Sequence, residues 1–506
     1  AGKSAAASAA ATALGTEPVD ADAAIEAEAG RTVAEIFDAD GEPAFRELEE
    51  RVVLELLDRG GVVSLGGGAV ESPRVRDALA GHVVVWCDVD REVAWERVSR
   101  NDKRPLGRDR AEFDRRFDSR LPMYREIARA TLPSTAKEAA KAAAPWLDAL
   151  RSRPGLRMAW ARTRSGQYPA VVGEGATALL GEVADAHLPK RWFAIADTAA
   201  LAEHPGLLPT AETTFEVEGG EAAKTLAEAE RLLRALAGAG ARRDDGVLAF
   251  GGGVVGDLAG FCAATYQRGV GVVQVPTTFV AQVDSAYGGK TGVDLPEAKN
   301  YVGAYHQPLA VLADPATLRT LPAAEAAAGF VEVLKTGLIA GGELWERVRS
   351  LPSAQPAEID AAELLAVIFA CARTKIEVVA GDERDAGHRA VLNLGHTVGH
   401  AIEAASGYGR YRHGEAVGLG LLAALRLSGA GELRADVAEL LARHGLPTTL
   451  DAGIGTDAIL AAVALDKKAT AEGVGFVLLE RPGEPQVGRR VPEDDVRAAV
   501  EELRAP

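Results

Sequence analysis

The chain has 506 residues, a formal net charge of -17, 47% hydrophobic and 25% charged residues. That balance provides apolar material for about three domain cores at roughly 150 residues each, and it excludes a globally disordered, collagen-like or disulfide-stapled chain. The acidic excess argues against a general binder of nucleic acid or anionic membrane, so any anion site has to be built from local basic clusters. Cys87, Cys262 and Cys371 stand far apart, in no metal-ligand spacing. No apolar run reaches the roughly 18 residues of a membrane span, and the small-residue N-terminus is too poor in large apolar side chains for a secretory signal. Together these features point to a cytoplasmic protein.

Ala1-Gly2-Lys3-Ser4 ends as a G-x-x-x-x-G-K-[ST] loop ends. In such a loop backbone N–H groups cradle phosphates, the lysine reaches them and the serine meets Mg²⁺. Asp20 and Asp22 follow as a D-x-D suited to a metal and a hydroxylated ligand, and FRELEE carries Arg46. GVVSL (61–65) and HVVVWCDV (82–89) read as buried strands separated by helices, a parallel α/β pattern. Gly66, Gly67 and Gly68 come directly after the first of them, where backbone can approach a ligand. NDKRPLGRD supplies Arg104 and SRLPMYRE supplies Arg120. An Ala-rich helical stretch then ends at Arg153-Pro154-Gly155, which places a boundary near 155.

The ordered series GKS, DAD, FRELEE, LGGGA, KRPL and SRLPMY resembles shikimate kinase over residues 1 to about 150. The resemblance implies ATP and Mg²⁺ at Gly2, Lys3 and Ser4, with Asp20 near the metal and Arg104 on a lid over ATP. Asp22 is then the base and, with Arg46, Gly67, Gly68 and Arg120, binds shikimate. Arginine suits that task because its fork matches a carboxylate. The family has a strand and a first loop glycine ahead of A-G-K-S. Their absence from this sequence leads us to expect an impaired kinase, or a first half that serves only as a scaffold.

After the boundary, YPAVVG (168–173), RWFAIAD (191–197), DGVLAF (245–250) and GVGVVQV (269–275) read as strands, and 224–240 as an amphipathic helix. From about 322 helical patterns dominate to the end. LAFGGGVVGDLAGF sets Gly252 and Gly253 between a strand and a helix, where backbone can reach a pyrophosphate, although a tight turn alone also accounts for such glycines. Read as one helix, Arg389, Asn393, His396 and His400 are spaced four, three and four and share a face. Glu332 and Lys335 are three apart on another helix, and His413 precedes a third. Two histidines and a carboxylate from separate elements suit a divalent metal with an open position. Arg268, Lys290, Lys299, Lys335, Lys375 and Arg389 form a basic set suited to an anion.

GGGVVGDLAGF, QVPTT, VDSAYGGKTGV, KNYVGA, FVEVLKTGLI, DERDAGHRAVLNLGHTVGHAIE and HGEAV are similar to 3-dehydroquinate synthase, from about 160 to the C-terminus. The implied architecture is a P-loop kinase-like α/β domain (1–155), a Rossmann-like NAD-binding α/β domain (156–321) and an all-α metal- and substrate-binding domain (322–506). The resemblance implies Zn²⁺ (or Co²⁺) on Glu332, His396 and His413. It implies NAD on Asp197, Glu221, Lys224, Gly252, Gly253, Asp257, Thr277, Thr278 and Lys299. The substrate pocket is then Arg268, Asp284, Lys290, Asn300, Lys335, Lys375, Arg389, Asn393 and His400, with Lys467 as a late contact. The implied reaction takes 3-deoxy-D-arabino-heptulosonate 7-phosphate to 3-dehydroquinate and phosphate through transient oxidation by NAD, and relatives are commonly homodimers. Asp385 replaces the family's usual glutamate, from which we expect a mild effect. Two other activities share this fold: another sugar phosphate cyclase, and a metal-dependent alcohol or glycerol dehydrogenase. The second histidine, His400, favours the dehydroquinate reaction over the first, and the number of anion-binding residues argues against the second.

Overall fold

The computed structural model describes residues 2–100, 109–133, 137–183, 187–464 and 474–504; Arg104 and Lys467 lie outside the described residues. The chain forms two compact units, Ala1–Arg162 with Ala178–His187, and Thr163–Thr177 with Leu188–Pro506. Among the described residues no helix is long and apolar enough to cross a membrane.

In the first unit β1 (Pro18–Asp20) pairs in parallel with β2 (Val62–Ser64), and β3 (Val85–Asp88), β4 (Ala130–Pro133) and β5 (Arg157–Arg162) form a second parallel set. The strands expected at 61–65 and 82–89 are thus present but short. β5 extends this unit past the boundary expected at 155. Asp20 ends β1 and caps the helix Ala21–Ala29 by accepting from the Asp22 N–H at 3.1 Å. Thr32 and Glu35 close a capping box on the next helix. Ile25, Ile36, Phe45, Val53 and Val75 form the core that joins these helices to β1 and β2. Among the described residues β2 and β3 are not paired with each other. Their facing edges line a cavity of about 1340 Å³, apolar along Val62, Val63, Val84 and Val85 and polar at Lys3, Asp22, Arg46 and Arg120.

The second unit contains β6 (Gln167–Val172), β7 (Trp192–Asp197), β8 (Thr213–Val217), β9 (Gly246–Gly251) and β10 (Gly271–Pro276), then β11 (Lys290–Leu295), β12 (Ala298–Tyr305) and β13 (Ala310–Ala313). Six of them form a parallel sheet in the order β6-β13-β10-β9-β7-β8, and β11 and β12 form an antiparallel hairpin. Val247, Leu248, Ala249 and Phe250 of β9 are all buried, as a central parallel strand requires. The four expected strands are in the sheet. β8 and the hairpin escape the pattern because threonine, glutamate, lysine and glycine interrupt their apolar runs. From β7 the chain runs outward to β8, and from β9 it runs the other way to β10. The reversal lies between β7 and β9, and the loops after these strands open a crevice there.

Helices dominate beyond 322, among them Ala323–Ala340, Ala361–Gly381, His396–Ala405 and His413–Leu427. One hairpin, β14 (Gly475–Leu479) with β15 (Pro485–Arg490), adds strand to a region expected to be all helix. The single helix expected over 389–400 is corrected as well. A 3₁₀ segment, His388–Asn393, ends at Leu394, Gly395 takes φ 78°, and the helix restarts at His396. Gly395 permits this break because left-handed backbone costs glycine little, and a Cβ there would meet Leu421 at 2.9 Å.

Close helix packing fixes the site. The helix His413–Leu427 approaches Ala323–Ala340 at Gly414, where a Cβ would lie 1.9 Å from the Ala328 carbonyl oxygen. It approaches His396–Ala405 at Gly420, where a Cβ would lie 2.0 Å from the Gly395 carbonyl oxygen. These obstacles are backbone and cannot rotate aside. Gly420→Ala should therefore destabilise the protein by about 2 kcal/mol or more, the usual range for forced overpacking, measured as a lower urea midpoint.

Candidate active and metal site

Four helices and one irregular turn converge on a buried polar cluster. Glu332 and Lys335, each 1% exposed, sit one turn apart in the middle of Ala323–Ala340 and are directly ion-paired. Lys375, from Ala361–Gly381, bonds Asp284 Oδ1 at 2.6 Å, and Lys335 Nζ lies 4.0 Å from Asp284 Oδ2. Asp284 is carried by a five-residue π turn, Ala281–Ser285, the kind of helical irregularity that aims a side chain into a site. The cluster thus alternates Lys375, Asp284, Lys335 and Glu332. Burial alone would raise both carboxyls, but the lysines outweigh it, so Asp284 and, far more, Glu332 are held below the usual carboxylate range. Burial lowers Lys335, but Asp284 and Glu332 overcome it and leave the ammonium favoured; in Lys375 burial prevails and the shift is downward.

Glu332 Oε1 is buried and accepts no hydrogen bond of normal geometry. It faces His396 Nε2 at 3.6 Å and His413 Nε2 at 3.5 Å. Each ring is held by its other nitrogen: His396 Nδ1 donates to the Leu394 carbonyl at 3.2 Å and His413 Nδ1 to Glu403 Oε2 at 3.1 Å. Both Nε2 atoms are thereby presented to one point, the arrangement by which carbonyls and carboxylates orient metal-binding imidazoles. His400 completes the group, and the ring nitrogens of His396, His400 and His413 converge within 4.8 Å. An orphaned carboxylate oxygen facing imidazole nitrogens fits a divalent cation. Burial and Lys335 lower His396 far below its ordinary value. His413, set between the Glu332 and Glu403 carboxylates, is pushed up to about 10 against the effect of burial. Glu403, raised by burial but bonded to His413, falls to about 2.

The crevice at the C-terminal ends of β7, β9 and β10 carries a second group of the expected side chains. Gly252 caps the helix Gly253–Thr265, and a Cβ on it would lie 2.8 Å from Thr278. Asp197 ends β7, Thr277 follows β10 and is buried, and Lys224 Nζ bonds Asp257 Oδ2 at 2.6 Å. Lys299, on β12, lies 3.9 Å from Glu221 and 3.4 Å from Glu403. Lys290 bonds Asp385 at 2.7 Å, and the Asn300 N–H donates to Asp294.

The break at Gly395 takes Arg389 out of the histidine helix; its guanidinium donates to the carbonyls of Glu383 and Gly288, at 2.6 and 3.2 Å, and its charge still acts on Lys375. One expected member stands apart. Arg268 is exposed and precedes β10, whereas the crevice lies beyond that strand's far end, about 17 Å along at 3.3 Å per residue. Glu403 was missed by sequence reasoning, although it falls three residues after His400, on the histidine face of its helix.

Models of the 3-dehydroquinate synthase N-terminal and C-terminal regions match residues 214–328 and 329–469. The 3-dehydroquinate synthase of Symbiobacterium thermophilum is 44% identical over 355 residues, covering 67% of this chain and 98% of that protein. The chain belongs to the 3-dehydroquinate synthase family. A shikimate kinase model matches residues 1–151, so a shikimate kinase unit stands ahead of the synthase. The synthase of Gloeobacter violaceus is 45% identical over 294 residues, 57% of this chain and 81% of its own. Among solved structures, a 2-deoxy-scyllo-inosose synthase complexed with carbaglucose-6-phosphate, NAD⁺ and Co²⁺ matches at 26% identity and TM-score 0.60, covering 68% of this chain and 99% of that one. A 2-epi-5-epi-valiolone synthase from Streptomyces hygroscopicus, with NAD⁺ and Zn²⁺ bound, matches at 25% and TM-score 0.60, covering 68% of this chain and 98% of that one.

In the shikimate kinase unit the glycine loop after β2 packs against the expected side chains. A Cβ on Gly68 would lie 2.1 Å from Arg46, and one on Gly66 would lie 2.3 Å from Glu49 and 3.3 Å from Asp22. Tyr124 donates to the Gly67 carbonyl at 2.5 Å, and Arg120 bonds Glu71 at 2.8 Å. Glu49 and Glu42 bond Arg46 at 2.5 and 3.0 Å. Ser4 donates to Asp20 at 2.6 Å, and Gly2 takes φ 91° at the start of the helix that carries Lys3. Asp22, Arg46, Gly67, Gly68, Arg120 and Lys3 all line the cavity.

Lys335 is the cation between the carboxylates of Glu332 and Asp284. Lys335→Met should cost about 3 kcal/mol in chelator-treated protein, the scale for breaking a buried pair, and Zn²⁺ should restore part of that loss. Denaturation with and without the metal measures both.

Proposed function

We propose that the chain converts 3-deoxy-D-arabino-heptulosonate 7-phosphate to 3-dehydroquinate and phosphate, with NAD and a divalent ion, Zn²⁺ or Co²⁺, as cofactors, in the cytoplasm. Residues 1–155 form the kinase domain, 156–321 the dinucleotide domain and 322–506 the metal and substrate domain. The observation that carries this reading is the buried Glu332 carboxylate set among three histidines and flanked by Lys335 and Lys375. A dehydrogenase acting on a neutral alcohol has no use for two buried lysines beside its metal, whereas a doubly anionic sugar acid phosphate does.

Glu332, His396 and His413 hold the metal; Asp197, Glu221, Lys224, Gly252, Gly253, Asp257, Thr277, Thr278 and Lys299 hold the dinucleotide. When bound, the dinucleotide supplies a reversible hydride acceptor and the ion a Lewis acid beside a substrate hydroxyl. Lys335, Lys375 and Lys290 bind the substrate anions, with Asp284 spacing the first two. Asn300 orients a hydroxyl, and His400 handles a proton beside the metal. Arg389 and Asn393 shape the pocket wall from the 3₁₀ segment. Arg268 is proposed for the substrate only by its motif. In the kinase unit Asp22, Arg46, Gly67, Gly68 and Arg120 take shikimate, with Gly2, Lys3 and Ser4 on ATP and Ser4 and Asp20 on Mg²⁺.

The test is phosphate release from 3-deoxy-D-arabino-heptulosonate 7-phosphate. Release that stops with a chelator, yields dehydroquinate and accumulates no NADH is expected. No release from folded protein loaded with Zn²⁺ and NAD⁺ overturns the reading and favours another cyclase; steady NADH accumulation favours a dehydrogenase. For the kinase unit, Arg120→Met should weaken shikimate binding by about tenfold or more, the value of one charge-assisted fork, measured by calorimetry.

A further inference from the structure

One buried carboxylate stands between the metal donors and the dinucleotide side of the synthase. Glu403 is 3% exposed, in the helix His396–Ala405, and its two oxygens have different partners. Oε2 accepts from His413 Nδ1 at 3.1 Å, and Oε1 accepts from Lys299 Nζ at 3.4 Å. Lys299 lies on β12 and also reaches Glu221 Oε1 at 3.9 Å. The hairpin that carries it is tied to the crevice, since the Asp294 N–H donates to the Lys224 carbonyl at 2.8 Å. A continuous polar path therefore runs from Glu221 through Lys299 and Glu403 to His413.

We propose that Glu403 is a positioning residue that couples the two cofactor sites: it holds His413 for the metal and shares Lys299 with the bound dinucleotide, so each cofactor tightens the other. This rests on the cofactor assignment proposed above. The physical argument is competition for one cation. While the dinucleotide is absent, Lys299 divides its charge between Glu221 and Glu403. A pyrophosphate beside Lys299 draws that charge away, and the Glu403 carboxylate then acts more fully on His413 Nδ1–H. A stronger acceptor at Nδ1 makes Nε2 a better metal donor. Coupling of this kind is reciprocal: the factor by which NAD⁺ tightens the metal is the factor by which the metal tightens NAD⁺.

The experiment is chelator competition for the Zn²⁺ dissociation constant of the full chain, with and without saturating NAD⁺, and the matching NAD⁺ titration with and without Zn²⁺. In the unaltered chain both constants should fall by the same factor, about fivefold or more. Glu403→Gln should weaken Zn²⁺ by about tenfold or more without NAD⁺ and bring the coupling factor to within about twofold of one. Lys299→Met should also abolish the coupling, but by tightening Zn²⁺ without NAD⁺ towards the affinity that the unaltered chain reaches with NAD⁺, and it stands as the test if the Gln variant fails to fold. If the unaltered chain binds Zn²⁺ and NAD⁺ independently, or if either variant folds and retains the full factor, the coupling is overturned while the cofactor assignment stands. A folded chain that binds neither Zn²⁺ nor NAD⁺ overturns the assignment itself. A Glu403 with a merely structural role would weaken Zn²⁺ equally with and without NAD⁺, and that outcome also overturns the proposal.

Discussion

A carboxylate in the middle of a buried helix has to be compensated, and much of the synthase site follows from how Glu332 meets that requirement. At 1% exposure it has no water to solvate it. The cost of an isolated buried charge is several kcal/mol, so neighbours of opposite sign or hydrogen-bonding character must be present. Lys335 supplies the charge on one side, and the Nε2 atoms of His396 and His413 face the other. Lys335 in turn requires Asp284, and Asp284 requires Lys375. One buried glutamate thus sets up a line of alternating charges, with histidine nitrogens at one end and Lys375 at the other.

That line exists only because the helices come close. Gly414 and Gly420 bring His413–Leu427 against two other helices at distances no side chain permits, and Gly395 starts the histidine helix where a continuous helix would have carried Arg389 onto the same face. Within the helix, at Gly420, glycine costs helix stability. The return is geometric, since His396 and His413, from two helices, come within 3.6 Å of Glu332 on a third. The π turn at Ala281–Ser285 makes the same kind of adjustment for Asp284.

The shikimate kinase unit solves a different electrostatic problem. Arg46 is ringed by Glu42, Glu49 and Glu71, so its charge is already balanced before any anion arrives. Burial raises the Glu49 carboxyl, with Arg46 opposing. A carboxylate ligand that engages Arg46 has to share it with these three groups. Arg120, with one carboxylate partner at 2.8 Å, is the less encumbered of the two forks. The cavity beside them is lined by residues of β2 and β3, which among the described residues are not paired with each other.

Much of this was legible in the sequence because it is local. Gly-rich turns after apolar strands, His and Glu at helical spacing, and the order of short motifs identified both family resemblances, the α/β and helical divisions and most of the side chains around the two sites. These signals depend on residues a few positions apart. Tertiary structure alone decided the rest. The break at Gly395 depends on how near Leu421 lies, so no periodicity revealed it, and Arg389 was misread as part of the histidine helix. Arg268 falls at the opposite end of β10 from the crevice because strand direction is set by sheet pairing. Glu403 acquires its place only when a helix and a hairpin over a hundred residues apart set His413 and Lys299 against its two oxygens. Spacing along the chain determined which groups could act together, whereas the balance of buried charges between helices, a property of distance in space, decided which of them do.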